Sequence, residues 1–357
     1  MESQDQHAST LPLAETASPP SSHVFRFEFT GNAKEYFRIW IVNLALTVLT
    51  LGIYSAWAKV RTQRYFHAHT RVADAHFDYI GNPWAILRGR LVLVALFLAF
   101  NFLPVIHPTL FVVVFAVVFL FTPFLIISAM RFRLHNTQWR GLNFRFHGRI
   151  GEAFKLYVLW PLGGMLTLGF LMPFVLYKQQ CWIVSSAAYG QQRFNSNLDV
   201  SDYYSLMFKS LGVFLASVTT MSVIAGFIAP KFGQSNTLVS QIFIMAMLMP
   251  AYMLIFAYSR ARMANLFVTG IQLGEHRFLS DMSVLDLLKL YLLNAVALVF
   301  TLGLAYPWAK VRTSQYRASC TQLITYGTLD HYNATDQNDP SAVGDEVGDY
   351  LDFDLGI

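Results

Sequence analysis

Residues 35–65 read EYFRIWIVNLALTVLTLGIYSAWAKVRTQRY: a charged entry, an apolar run, Thr50-Leu51-Gly52, then Trp57-Ala58-Lys59-Val60-Arg61 and an aromatic at Tyr65. The stretch returns at 286–316 as DLLKLYLLNAVALVFTLGLAYPWAKVRTSQY, so that Asn43, Gly52, Trp57, Lys59 and Arg61 fall on Asn294, Gly303, Trp308, Lys310 and Arg312. A weaker copy at 152–182, EAFKLYVLWPLGGMLTLGFLMPFVLYKQQCW, keeps Glu152, Thr167, Leu168, Gly169 and a cation at Lys178. A unit that recurs with apolar stretches between its copies sets the architecture.

Composition places the chain in a membrane. Hydrophobic residues make up 55% and charged residues 13%, with a mean hydropathy of +0.42, against about 25% charged in an ordinary soluble domain. The formal net charge is +5, yet no Lys or Arg follows Arg317 and eight acids lie from Asp330 onward, so the rest of the chain is strongly basic. A basic membrane body suits an anionic lipid surface. Nucleic acid is excluded as a partner because the cations flank apolar runs, while the acidic end would suit a basic cytoplasmic partner. Cys181 and Cys320 form no Cys-x-x-Cys, so neither a disulfide framework nor a zinc site is signalled. Residues 1–23 are Ser/Pro-rich without a basic or apolar leader, and are expected to be a disordered tail rather than a cleavable signal.

In order along the chain, Phe25–Gly31 alternates apolar and polar residues as a short strand does, and Phe77–Gly81 and Phe144–Gly148 repeat the wording. These read as small cytoplasmic β modules. Between the TLG units, at about 35–65, 152–182 and 286–316, lie apolar stretches at about 91–130 and 206–258 that read as two transmembrane helical hairpins. The fold expected is an all-α polytopic membrane protein with those small β modules. Residues 24–329 would form its membrane domain, and 330–357 an acidic disordered tail.

Two topologies compete. If every apolar stretch crosses, Lys and Arg divide 16 to 10 between the two sides, a weak positive-inside signal. If each TLG unit enters, turns at its glycine and returns, 25 of the 26 Lys and Arg share one side and Lys231 alone lies opposite. The second arrangement uses glycine where the backbone must turn, but a turn in lipid must have its backbone groups satisfied. With most loops and both termini on the basic side, the chain is expected to be a multi-pass membrane protein with those loops and termini in the cytoplasm.

The stretches FEFTGNAKEYFRIW, NLALTVLTLGIYSAWAKVRTQRYFHAHT and FDYIGNP resemble the YjgN family, bacterial inner-membrane proteins built on a domain of unknown function. The resemblance runs over about residues 24–329 and implies location and architecture, with no activity attached.

Chemistry-bearing constellations are few. His67, His69 and His76 cluster, but His67 and His69 point to different sides of a helix and no Cys or carboxylate set completes four ligands, so no metal is expected. Glu35, Glu152 and Asp286 open the three units, where acids favour a helix N-terminus. No phosphate-binding loop, zinc-protease or serine-hydrolase motif occurs, so neither an enzyme nor a cofactor is expected. Asn43 and Asn294 are intramembrane polar groups that either line a path or bond to a neighbouring helix. The leading expectation is a channel- or transporter-like protein for a small solute, with Asn43, Asn294, Gly52, Gly169 and Gly303 along the path. The alternative is a non-transporting, anionic-lipid-organising protein that uses Trp57, Lys59, Arg61, Trp308, Lys310 and Arg312 at headgroup level.

Overall fold

The computed structural model describes residues 22–107, 109–228 and 237–327. Its organising element is one antiparallel sheet of eleven strands. The first segment holds β1 (Ser22–Arg26) and β2 (Glu28–Phe29), interrupted at Phe27. Four tight hairpins follow: β3 (Thr70–Val72) with β4 (Ala75–Tyr79), β5 (Thr137–Trp139) with β6 (Leu142–Phe146), β7 (Ala187–Tyr189) with β8 (Gln192–Ser196), and β9 (Ile271–Leu273) with β10 (His276–Ser280). The last strand is β11 (Thr321–Tyr326). β1 pairs with β11 while β2 pairs with β3, so the sheet begins and ends in the same segment and closes on itself as a barrel, leaving no edge strand among the described residues.

Five times the chain leaves this barrel and comes back. The departing and returning strands pair in one register: Phe29 opposite Thr70, Tyr79 opposite Thr137, Phe146 opposite Ala187, Ser196 opposite Ile271 and Ser280 opposite Thr321. One residue beyond each pair a backbone bond closes the exit, from the amides of Thr30, Ile80, His147, Asn197 and Asp281 to the carbonyls of His69, Asn136, Ser186, Gly270 and Cys320, at 2.7–3.1 Å. Because the two-residue turns sit at the other ends of these strands, all the helical connections emerge from one rim. The turns reverse the chain with left-handed backbone, at Ala73 and Asp74, at Arg140 and Gly141, and at Gly190 and Gly274, which matches the twist of a tight hairpin.

The connections are helical hairpins of two sizes. Three are short. α1 (Ala33–Leu49) and α2 (Ser55–Ala68) form the first; α5 (Ile150–Phe154), a π-helical turn (Lys155–Leu159) and α6 (Trp160–Leu166) run out to α7 (Met172–Ser186) in the second; α10 (Val284–Phe300) and α11 (Tyr306–Ser319) form the third. Each outgoing arm is 17 residues long. Pro161, which has no amide to donate, explains the widened turn before it, where the Trp160 amide reaches back to the Lys155 carbonyl. The long connections are α3 (Pro83–Ile106) with α4 (Thr109–His135), and α8 (Val200–Ile228) with α9 (Thr237–Thr269). Neighbouring arms pack around the ring, α2 on α3, α4 on α5, α7 on α8, α9 on α10, and α11 back on α1.

Apolar side chains fill the barrel. Phe27, Phe77, Trp139, Tyr189, Phe194, Leu273 and Leu323 form one buried cluster, with Phe144 and Phe278 packed against it; each such burial is worth about 1.5–3 kcal/mol. Two residues further along their strands, Tyr79 packs on Ala56, Val60, Ile86 and Phe132, and Phe146 on Ile127, Met130 and Trp182, so the core continues from barrel into helices.

This sheet overturns the all-α expectation. The Phe-x-Phe stretches, expected as small modules beside an all-α fold, are strands of one eleven-stranded barrel, and the helices are its connections. The two expected transmembrane hairpins are also corrected: among the described residues three helices, at Pro83–Leu103, Thr109–His135 and Val200–Ile224, are long and apolar enough to cross a membrane. The 330–357 tail and Lys231 lie outside the described residues, as does the 1–23 tail except for Ser22 and His23, which open β1.

Candidate functional site

The short hairpins carry the chemistry the sequence singled out, and each is built in three tiers. At the rim, Asn32 caps α1 by accepting from the Lys34 amide at 2.9 Å, the usual role of Asn at that position. The Tyr65 hydroxyl, coming up on α2, accepts from the Asn32 amide at 2.8 Å and lies 3.0 Å from the Asn32 carbonyl, to which it donates. In the last hairpin Ser283 caps α10 and Tyr316 repeats both bonds to it, each at 3.0 Å. The middle copy substitutes Trp182, whose indole N–H donates to Glu152 at 2.8 Å. Each aromatic therefore ties the end of the returning arm to the start of the outgoing one.

Halfway down, Asn43 is 4% exposed and Asn294 7% exposed. Their carboxamide nitrogens face the carbonyls of Ala58 and Ala309 across the hairpin, both at 3.5 Å, and Asn294 also donates to the Thr313 hydroxyl at 3.2 Å. The structure places both in the seam between arms, where they fasten helix to helix. The Oδ1 atom of each is buried without a partner.

At the tip, Thr-Leu-Gly is a turn that satisfies its own backbone amides. Thr50 Oγ1 donates to the Leu46 carbonyl at 2.7 Å and accepts from the Tyr54 amide at 2.9 Å. The amides of Thr50, Leu51, Gly52, Ile53 and Ser55 find the carbonyls of Leu46, Val48, Thr47, Thr50 and Gly52 at 2.8–3.1 Å. The pattern recurs at 167–172 and 301–306, where Thr167 and Thr301 accept from the Leu171 and Ala305 amides. Gly52, Gly169 and Gly303 have φ of 93°, 88° and 89° with open space where a Cβ would stand, so they are required by backbone conformation and not by a close approach. Leu51, Leu168 and Leu302 are also left-handed, at φ of 50–51°, a cost of about 1–2 kcal/mol for a residue with a side chain. Their side chains are 95%, 91% and 93% exposed. The five residues singled out as a solute path therefore divide between two seams and three separate tips.

Of the residues singled out for headgroups, Trp57 packs edge-on against Trp84 at 5.0 Å between ring centroids. Lys310 points its ammonium at Phe66 (4.8 Å), Tyr36 (5.9 Å) and Tyr306 (6.0 Å), a three-ring cage joining the last hairpin to the first. The Arg312 guanidinium lies 5.1 Å from the Trp308 ring, and Arg312 also lines an open cavity of about 460 Å³ with Asp286, Lys289, Leu290, Gln315, Tyr316 and Ser319. Arg61 is exposed, and Lys59 is partly buried. The sequence reading missed the tyrosine latches and the lysine cage, although the shared aromatic at Tyr65, Trp182 and Tyr316 was their visible trace. The clustered histidines bond locally, His67 and His69 each placing Nδ1 on a carbonyl of their own helix, and no group of three metal-ligating side chains forms among the described residues.

A β-ring that hangs helical hairpins from one rim, with three helices among the described residues long and apolar enough to cross a membrane, defines a barrel-and-hairpin class of protein. The chain belongs to the family described as bacterial proteins of unknown function, DUF898, whose model matches residues 24–350. It is 24% identical to the inner membrane protein YjgN of Salmonella typhimurium over 90% of this chain and 94% of that one. Its identity to the YjgN protein of Escherichia coli K12 is also 24%, over 87% and 90% of the two chains. No solved structure matches. The resemblance read from TLGIYSAWAKVR to the YjgN family thus holds along nearly the whole chain.

Proposed function

We propose that this is an inner-membrane protein, as its relatives are named, which organises lipid in the leaflet facing its barrel and neither conducts a solute nor catalyses a reaction. The observation that carries this reading is the tip. A strained leucine held almost fully exposed on a turn whose amides are all bonded within it is suited to hydrocarbon, where unpaired donors are not tolerated. The depth agrees. The returning arm Ser55–Ala68 is 14 residues, ~21 Å of helix, and its first cation, Lys59, stands five residues from Tyr54. A tip ~10–15 Å below its cations reaches about half of a ~30 Å hydrocarbon core.

Arg61, Lys289 and Arg312 then lie at headgroup level, where anionic lipid is their partner. The basic side of the chain, holding 25 of 26 Lys and Arg in this arrangement, supports a cytoplasmic barrel. A conducting role finds less support, because the five residues singled out for a path sit in two hairpin seams and at three separate tips.

The test is depth. Leu51→Cys, Leu168→Cys and Leu302→Cys, made singly in a Cys181→Ser, Cys320→Ser chain and spin-labelled in bilayers, are expected to read near the bilayer midplane. Labels in water on either face would sink the reading, as would solute uptake above that of empty vesicles.

A further inference from the structure

The hairpins differ in reach although they share an origin, and that difference is a shape. Ten helical arms leave or rejoin one rim and pack as a ring. Six of them belong to the short hairpins, whose arms of 14–17 residues end in the apolar tips at Leu51, Leu168 and Leu302. Among the described residues only α3, α4 and α8 are long and apolar enough to reach the far leaflet, and α9, 33 residues long, returns alongside α8.

We infer that the protein is a curvature-generating and curvature-sensing wedge, broad in the barrel-side leaflet and narrow in the other. This rests on the half-depth tips proposed above. Each arm is a cylinder ~10 Å across, so the six short arms add ~500 Å² to one leaflet with no counterpart opposite. Lipids exchange slowly between leaflets, so area added to one side is relieved by bending the membrane toward it, convex on the barrel side. Apolar insertion into one face of a bilayer depends on curvature for the same reason. The ring packing makes the wedge stiff: Lys310 in its cage of Phe66, Tyr36 and Tyr306 holds the last hairpin against the first, so the short arms cannot splay to spread their area.

The experiment is sorting of the full-length fluorescent chain, reconstituted with its barrel outside as checked by protease access, among uncharged phosphatidylcholine vesicles of ~15 nm and ~100 nm radius. Density per unit area is expected to be about threefold or more higher on the small vesicles. The triple variant Leu51→Glu, Leu168→Glu, Leu302→Glu, which expels the short tips while α3 and α4 keep the chain in the membrane, is expected to lose that preference. Equal density of the unaltered chain on both sizes, with spin-labelled tips still at the midplane, would overturn the wedge and leave the lipid-embedded tips standing. Tips found in water would overturn both. A preference that survives in the triple variant would also overturn it, because the short hairpins would then not be its source.

Discussion

The Tyr65 hydroxyl holds Asn32 by both backbone groups, receiving its N–H and donating to its C=O, across 33 residues of chain. Tyr316 does the same to Ser283. Because the two arms of a short hairpin otherwise meet mainly through apolar packing, this pair of bonds fixes the spacing of the arms at the rim. Tyr65→Phe removes one oxygen and leaves both groups of Asn32 without that partner, a loss of about 1–3 kcal/mol. Thermal unfolding in detergent should show a lower midpoint for Tyr65→Phe and for Tyr316→Phe, with helix content unchanged below the transition. An unchanged midpoint would mean that water replaces the hydroxyl at no cost.

At the tips, the threonine hydroxyl is expected to matter more than the threonine shape. Thr50→Val and Thr301→Val are nearly isosteric but leave the Tyr54 and Ala305 amides without their acceptor. In lipid that is expected to cost ~1–3 kcal/mol, while Thr50→Ser and Thr301→Ser restore most of it. Hydrogen exchange at Tyr54 and Ala305 checks the mechanism directly, since only the valine variants should speed it.

Much of this was legible in particular residues, and the rest was hidden for physical reasons. The Thr-Leu-Gly wording marks three turns because only a restricted set of residues closes a turn with its own bonds, and the wording survives at 167–169 where the rest of the unit has drifted. The Phe-x-Phe alternation marks strands, but their partners Thr70–Val72, Thr137–Trp139 and Ala187–Tyr189 are three residues long, too short for alternation to register. Closure of the barrel joins Ser22–Arg26 to Thr321–Tyr326, a pairing that no local pattern encodes. Hence the strands looked like small modules beside an all-α body. Asn43 and Asn294 were visible as polar groups in an apolar run, but whether such a group faces a path or a neighbouring helix depends on packing that sequence spacing does not carry.

The leucines at φ near +50° offer a substitution whose two effects have opposite signs. Leu51→Gly, Leu168→Gly or Leu302→Gly relieves the left-handed strain, so each is expected to raise stability in detergent by up to ~1 kcal/mol. In a bilayer the same change removes the exposed side chain and should make the tip shallower. A gain in stability with no change of depth would mean that the side chain does not set how far the tip reaches.

Sidedness follows from the shared rim. Cys181 on α7 and Cys320 at the end of α11 are both unpaired and partly exposed. Each belongs to the returning arm of a short hairpin, so both are expected to lie on the barrel side. An impermeant thiol reagent should label neither in intact cells and both after permeabilisation. Labelling of Cys181 alone in intact cells would mean that the middle short hairpin crosses the bilayer.

Acid should loosen the barrel through His276. Burial pushes its imidazole below the ordinary value of 6.5, with the Glu275 carboxylate working the other way, and its Nδ1 accepts the Tyr326 amide of β11 at 3.2 Å. A proton on that nitrogen sets donor against donor where β10 meets β11. His147, beside the exit of β6, is lowered too, by burial first and then by Arg193, Arg145 and Arg131. For a folded value below the unfolded one, the unfolded chain binds protons first. The stabilisation is therefore whole above pH 6.5 and drains as pH falls from there toward the lowered folded values, at no more than ~1.4 kcal/mol per pH unit for the buried His276 and less for the exposed His147, whose shift water screens. His276→Asn keeps an acceptor near Nδ1 that cannot be protonated, so it should flatten the fall in the urea midpoint between about pH 7 and 5 without abolishing it, His147 supplying the remainder. A slope identical to that of the unaltered chain would place the acid sensitivity elsewhere.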